Sequence, residues 1–164
     1  MALSESRVAA ADTRHRVAYP NSKPRRIIVA GLGMGGRSIV ETVSAAAMVH
    51  VETLVLRGAP AASPNADDVL RSIAAGADEL DRALAGADMV FVALTPADDA
   101  SFAGAIASVA RHRGVLLTGV IVDAQAGGPA LRHDVLDEMR RACDMLVVTA
   151  DADYLTGMLA ALGN

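Results

Sequence analysis

Short runs of apolar residues alternate along the chain with longer stretches in which charged residues recur at helical spacing. Five such runs follow in order: RIIVAG, VETLVL, ADMVFVAL, GVLLTGVIV and DMLVVTA. They are apolar at consecutive positions rather than at alternate ones, which is typical of strands buried on both faces of a parallel sheet. The Ala-rich stretches between them predict covering helices. The pattern therefore predicts an α/β fold: a three-layer, Rossmann-like, mostly parallel sheet flanked by helices.

Glycine, proline and acidic residues set the expected ends of these helices. We expect helices at 36–49, 78–85, 98–113 and 129–142, and a last short helix after Asp151. The stretch RGAPAASPNAD should form a loop, because it carries two prolines and small residues. Pro129 is suited to the first turn of a helix, where its missing N–H leaves nothing unpaired. With no repeat and no linker, we expect a flexible tail over 1–24 and one domain over 25–164.

Composition narrows the classes of function. The 164 residues can bury a sizeable core in one domain without disulfides. Cys143 is the only cysteine, so an intramolecular disulfide and a site of paired cysteines are excluded, and a buried thiol is expected. The formal charge of −4 gives no reason to expect nucleic acid or an anionic membrane as partner. No run reaches the ~18 apolar residues of a membrane span, and the opening residues lack a signal-peptide core, so a cytoplasmic protein is expected.

The most specific motif lies at the end of the first run, in IIVAGLGMGGRSIV. Gly31, Gly33 and Gly36 fit the pattern G-x-G-x-x-G between a predicted strand and a predicted helix. Glycines there let backbone N–H groups approach a phosphate, which the positive end of the helix also favours. The alternative is that the glycines only let the helix pack closely on the strand, with no ligand. Both interpretations remain open from the residues alone.

One candidate ligand is a nicotinamide dinucleotide. Such sites place an acidic residue near the end of the second strand for NAD, or an arginine nearby for the 2′-phosphate of NADP. Arg57 directly follows the second run, which favours NADPH. Because no catalytic acid or base stands out, this hypothesis describes an NADP-binding module of a larger oxidoreductase system.

A second interpretation rests on a resemblance. From about Arg25 to Leu155 the sequence resembles the nucleotide-binding half of the FtsZ/tubulin-like GTPase family, whose bacterial members act in cell division. GLGMGGRSIV lines up without a gap with that family's first glycine-rich turn. GADMVFVAL, SVARHRGVLLTGVIVD and EMRRACDMLVVTADADYL resemble three later segments in the same order. The resemblance implies a Rossmann-like fold and a guanine-nucleotide site, with GTP or GDP as the candidate ligand.

The nucleotide-binding candidates that the resemblance implies come from four segments. They are Gly31, Gly33, Met34, Gly35, Gly36, Arg37 and Ser38 in the first turn, Thr95 after the third strand, and Arg132 and Asp151 further on.

The family's phosphate loop, G-G-G-T-G-T-G, is missing, and TPADDASFAG stands in its place after Leu94. Asp98 and Asp99 there put negative charge where a phosphate would lie, unless a metal ion intervenes. The two carboxylates are therefore candidate Mg²⁺ ligands. The alternative is that they open the next helix, where they would favour its dipole.

Three hypotheses about function follow. The first is an FtsZ-like protein with at most weak guanine-nucleotide binding, which acts as a binding or assembly module linked to cell division. The second is the NADP-binding module, and the third is a scaffold that has lost its ligand. The family's second domain has no counterpart in the sequence, so GTP hydrolysis by this chain alone is not expected and no catalytic residue is assigned.

The expected partner is a second copy of the chain. The last predicted helix places Leu155, Met158, Leu159 and Leu162 on one face, which should pack on the same sheet. Apolar surface that the family's second domain would have covered needs another cover. A homo-oligomer, most simply a dimer, provides that cover. Full-length FtsZ is the second candidate partner.

Overall fold

The computed structural model describes residues 25–56, 76–122 and 130–162. The elements in these ranges are β1 Ile27–Gly31, α1 Gly33–Ala45, β2 Val51–Val55, α2 at 76–83, β3 Met89–Leu94, α3 Ala103–His112, β4 Leu116–Val122, α4 His133–Ala142, β5 Met145–Thr149 and α5 Ala152–Leu162. The expected tail over 1–24, the loop that includes Arg57, and Pro129 lie outside the described residues.

The five strands form one sheet in the order β2-β1-β3-β4-β5, and every neighbouring pair is parallel. The predicted Rossmann-like α/β fold is confirmed. Because all strands run the same way, their carboxyl ends lie at one edge of the sheet, where the following helices begin. The chain places β2 on one side of β1 and β3 on the other. The carboxyl ends of β1 and β3 therefore form the topological switch point, which is the usual ligand crevice of such sheets.

The core lies in two layers, one on each face of the sheet. Alternate residues of β3 point to opposite faces, as the pleat requires. Val92 and its neighbours on one face pack against α2, α3 and α4, whereas Phe91 on the other face packs against α1 and α5. Leu155 and Leu159 of α5 are fully buried in this second layer. Burial of both faces explains why the strands read as continuous apolar runs.

The helices differ from the expected ones mainly at their ends. α1 begins at Gly33 instead of residue 36, and it ends at Ala45 because Ala47 adopts a positive φ of 48°. α3 begins at Ala103, five residues later than expected, because the Asp98 side chain bonds to α1 and the Asp99 side chain holds a turn with Ser101. None of the helices in the described ranges has the length and apolar character needed to cross a bilayer.

Candidate functional site

The glycine turn, which we define as residues 31–36, lies at the switch point. There α1 packs very closely on β1 and β3. A side chain at Gly36 would overlap the carbonyl oxygen of Ala93 and would lie 3.0 Å from the carbonyl carbon of Gly31. The backbone N–H of Leu32 donates to the same Ala93 oxygen at 2.9 Å. Glycine at 36 is therefore required by close packing of the helix on two strands, whether or not a ligand binds.

The Asp98 carboxylate, from the loop after β3, lies at the N-terminus of α1. Its Oδ1 accepts the backbone N–H of Gly35 at 3.0 Å, and its Oδ2 accepts that of Gly36 at 3.1 Å. Oδ2 also accepts the backbone N–H and the hydroxyl of Thr95, each at 2.8 Å. The residue is only 7% exposed. A buried anionic group therefore occupies the place at which the turn presents its N–H groups.

This carboxylate supplies the cap that α1 lacks in its own sequence. The first N–H groups of a helix have no partner within it. The N-cap residue, Leu32, makes no side-chain cap, and the first turn holds no acidic residue. A negative charge at this end is favoured by the helix dipole. Asp98 provides both the acceptor atoms and the charge from another part of the chain.

Two glycines of the turn make room for this carboxylate. Gly33 has a φ of 66°, a left-handed conformation that glycine adopts without strain. A side chain at Gly33 would overlap the Asp98 carboxylate, and one at Gly35 would lie 2.5 Å from its Oδ2. The space beside Gly33 and Gly35 forms a cleft. The Asp98 side chain fills this cleft to van der Waals contact.

Asp99 forms a different set of hydrogen bonds from Asp98. Its carboxylate is exposed and accepts the backbone N–H and the hydroxyl of Ser101, at 2.9 and 3.0 Å. It thus organises the turn that precedes α3. Across the described parts of the chain, no group of three or more His, Cys, Asp or Glu side chains is placed to hold a metal ion. The two carboxylates offered as Mg²⁺ ligands each satisfy a different segment of backbone.

The remaining residues of the turn face solvent. Met34 is 78% exposed, and Arg37 and Ser38 are also exposed. The Ser38 carbonyl accepts the hydroxyl of Thr42 at 3.1 Å. Arg37 forms no ion pair with any residue that the structure describes. The rim of the cleft therefore carries one positive charge.

Arg132 and Asp151 lie at the same edge of the sheet but far along it. Arg132 precedes α4 and pairs with Asp134 through two hydrogen bonds of 3.1 and 3.0 Å, which lower the pKa of the Asp134 carboxyl. Asp151 accepts the backbone N–H of Asp153 at 2.8 Å and so opens α5. β5 is the third strand beyond β1, which corresponds to about 14 Å. Thr95 thus shares the Asp98 carboxylate with the glycine turn, whereas Arg132 and Asp151 each bond within their own segment.

The capping role of Asp98 is the feature that sequence reasoning missed. Two signals pointed to it. Thr95 and Asp98 have the spacing of a capping box, in which the acidic side chain accepts the backbone N–H of the residue three positions earlier. The turn before α1 offers a leucine where a polar cap is usual. A helix without a local cap, together with an acidic loop after the neighbouring strand, favours a cap supplied through tertiary contact.

Comparison with known proteins supports the fold. No family model and no curated protein matches the sequence. A tryptophan-to-tyrosine mutant of FtsZ from M. jannaschii is similar in structure, with a TM-score of 0.58 and 18% identity over 76% of this chain and 46% of that chain. This chain thus spans less than half of that FtsZ. A pilus assembly-related protein from Burkholderia pseudomallei, so described, matches with a TM-score of 0.45 and 21% identity over 85% of this chain and 90% of its own. The first match shows an FtsZ-like fold; the second is too low in score to add to it.

Proposed function

We propose that this chain is an FtsZ-like binding or assembly module that holds guanine nucleotides weakly or not at all. The observation that carries this proposal is the position of Asp98. The backbone N–H groups of Gly35 and Gly36 would have to serve a phosphate at this turn, and both donate to the Asp98 carboxylate. The described residues therefore do not fit a nucleotide phosphate in this conformation.

Electrostatics supports the same proposal. A phosphate that approached the turn would meet the Asp98 carboxylate at close range, and like charges repel strongly where solvent is excluded. Asp99 adds a second carboxylate on the same loop. Arg37 at the rim is one positive charge against these two. Binding of GTP, GDP or NADPH would thus require the loop after β3 to move away.

Titration calorimetry with GTP, GDP and NADPH, each with and without Mg²⁺, tests the proposal. We expect no binding tighter than the millimolar range for any of the three nucleotides. Micromolar binding of GTP or GDP would contradict the proposal and would indicate a working guanine-nucleotide site. Micromolar binding of NADPH alone would favour the oxidoreductase module instead. Absence of heat with all three ligands favours the scaffold form of the proposed module.

Assembly is the second part of the proposal, with a second copy of the chain as partner. β5 pairs with β4 on one side and has no partner strand on its other side within the described residues. Met145 and Val148 of this edge strand are 55% and 52% exposed. Exposed apolar edge strands are sites of strand pairing between chains. We expect light scattering to give the mass of a dimer at micromolar concentration.

Variants of the edge strand sharpen this test. Val148→Lys should shift the mass towards the monomer, because lysine on an edge opposes pairing. Val49→Lys is the control, since Val49 is fully exposed but lies in the connection before β2. A monomeric mass for the unaltered chain would contradict self-assembly. Co-sedimentation with FtsZ polymers tests FtsZ as partner and, through it, the proposed link to cell division.

A further inference from the structure

We infer that Asp98 is an internal substitute for a phosphate group and keeps an oxyanion site at the start of α1 closed. The inference rests on the proposed function and deepens it, because it names what occupies the site and what would open it. Its starting point is the disagreement between a turn shaped for phosphate and the carboxylate that fills it.

The hydrogen-bond donors around Asp98 come from two parts of the chain. Three backbone N–H groups, from Gly35, Gly36 and Thr95, and the Thr95 hydroxyl converge on one carboxylate. They follow the carboxyl ends of two neighbouring strands, β1 and β3. Convergent backbone N–H groups of this kind form anion-binding concavities in proteins.

No cation of the described residues compensates the charge of Asp98. Asp98 is only 7% exposed, yet it forms no ion pair with any residue in the described ranges. A buried charge requires compensation, and here the hydrogen bonds and the helix dipole provide it. The site therefore stabilises a negative group by three backbone N–H groups and one hydroxyl, which are donors that also suit phosphate.

The space that the Asp98 carboxylate fills lies beside two glycines. The Asp98 carboxylate lies where side chains at Gly33 and Gly35 would be, so its removal leaves a cleft lined by glycine backbone. The cleft opens towards solvent, because Gly33 and Met34 are exposed. The space that truncation of Asp98 vacates is therefore reachable by a dissolved ion. Arg37 lies one turn later on the same side of α1 as Gly33 and adds positive charge.

Asp98 competes with dissolved anions because it is tethered to the site. Tethering through a short segment gives an effective concentration in the millimolar range or above. The unaltered chain should therefore show no binding of inorganic phosphate. Truncation of Asp98 removes the competitor and leaves the backbone N–H groups of Gly35 and Thr95 without this acceptor, whereas the Gly36 N–H keeps its 3.1 Å bond to the Leu32 carbonyl. Phosphate should then bind and restore the lost stability.

The test compares Asp98→Ala with the unaltered chain in inorganic phosphate and in chloride of equal ionic strength. We expect Asp98→Ala to melt at a lower temperature in chloride and to regain about 4 °C when phosphate reaches about ten times its Kd. In ¹⁵N spectra of this variant, phosphate should shift the amide signals of Gly35 and Gly36. Asp99→Ala is the matched control, and it should respond to phosphate no more than the unaltered chain does.

Each outcome bears on the inference. If Asp98→Ala does not fold in chloride, recovery of the folded state by refolding in phosphate supports it, and failure in both salts overturns it. Asp98→Asn keeps the volume that fills the site, so it should respond to phosphate less than Asp98→Ala does. Equal melting in both salts, with unmoved Gly35 and Gly36 signals, overturns the inference. Micromolar binding of GTP by the unaltered chain would instead contradict the proposed function, so the two failures are distinguishable.

Discussion

The carboxylate of Asp98 accepts the backbone N–H of Gly36 at 3.1 Å, although the two residues are 62 positions apart in sequence. Gly36 belongs to α1, and Asp98 follows β3, which is the neighbour of β1 in the sheet. The contact thus joins the two sides of the switch point. It makes Asp98 part of the structure of α1 as well as the group that fills the glycine turn.

Replacement of Asp98 should destabilise the fold. Asp98→Asn places an amide N–H₂ group against backbone N–H donors, so at least one buried donor loses its acceptor. We expect the free energy of unfolding to fall by about 1–3 kcal/mol. Urea denaturation followed by circular dichroism measures this change. Asp99→Ala, which removes only exposed bonds to Ser101, should cost clearly less, and an equal cost for both variants would contradict the capping role.

Close packing of α1 on the sheet predicts a large difference between two glycine substitutions. Gly36→Ala brings a methyl group into the Ala93 carbonyl, which is backbone and cannot move aside cheaply. We expect a loss of about 3 kcal/mol or more, or a chain that fails to fold. Gly157→Ala in α5 is the control, because nothing lies within 4 Å of the added carbon. It should stabilise the chain by roughly 0.5–1 kcal/mol, and thermal melts of the two variants test both values.

Cys143 should react slowly as a nucleophile. Burial raises the pKa of its thiol from 9.0 to about 11, and the Asp144 carboxylate adds to this. Below pH 9 the thiolate fraction, and with it the rate of alkylation by iodoacetamide, should be about 100-fold lower than in the unfolded chain. Mass spectrometry against pH measures the rate. Fast alkylation of the folded chain at pH 8 would contradict this prediction.

The same shift predicts how stability depends on alkaline pH. The folded-state pKa lies above the unfolded one, so the contribution of Cys143 is fully present below about pH 9 and is lost as the pH rises towards 11. Cys143→Ser has no group that ionises in this range. The difference in melting temperature between the two chains should therefore change between these pH values and stay constant below them.

Glu52 should contribute to stability only above acidic pH. Arg26 donates two hydrogen bonds to the Glu52 carboxylate, at 2.8 and 2.6 Å, and lowers its pKa. The contribution is therefore present above the ordinary pKa of 4.5 and is lost as the pH falls through the lowered value. The melting temperatures of the unaltered chain and Glu52→Gln should differ at neutral pH and converge in acid.

A matched control separates this pair from a general effect of charge. Glu41 is exposed on α1 and forms no ion pair with a residue that the structure describes. Glu41→Gln should melt close to the unaltered chain at neutral pH. If Glu52→Gln behaves in the same way, the ion pair with Arg26 makes no measurable contribution, as is common for exposed pairs.

The sequence by itself determined the strands, the fold class and the strand–turn–helix unit around the first glycines. These features are local, since continuous apolar runs reflect burial on both faces and the glycine pattern lies within one short segment. The predicted ends of the helices were less accurate. Asp98 was expected to open α3, but tertiary contact draws it to α1, so α3 begins at Ala103.

Only the tertiary structure decided what fills the glycine turn. Strand order places β3 beside β1, and strand order depends on long-range packing that no local pattern specifies. Once the two strands are neighbours, the Asp98 carboxylate accepts the Gly35 N–H at the start of α1 and shares the Gly36 N–H with the Leu32 carbonyl. A buried charge and unpaired buried donors are each unfavourable alone and stable together. That physical requirement joins two segments whose relation the sequence does not display.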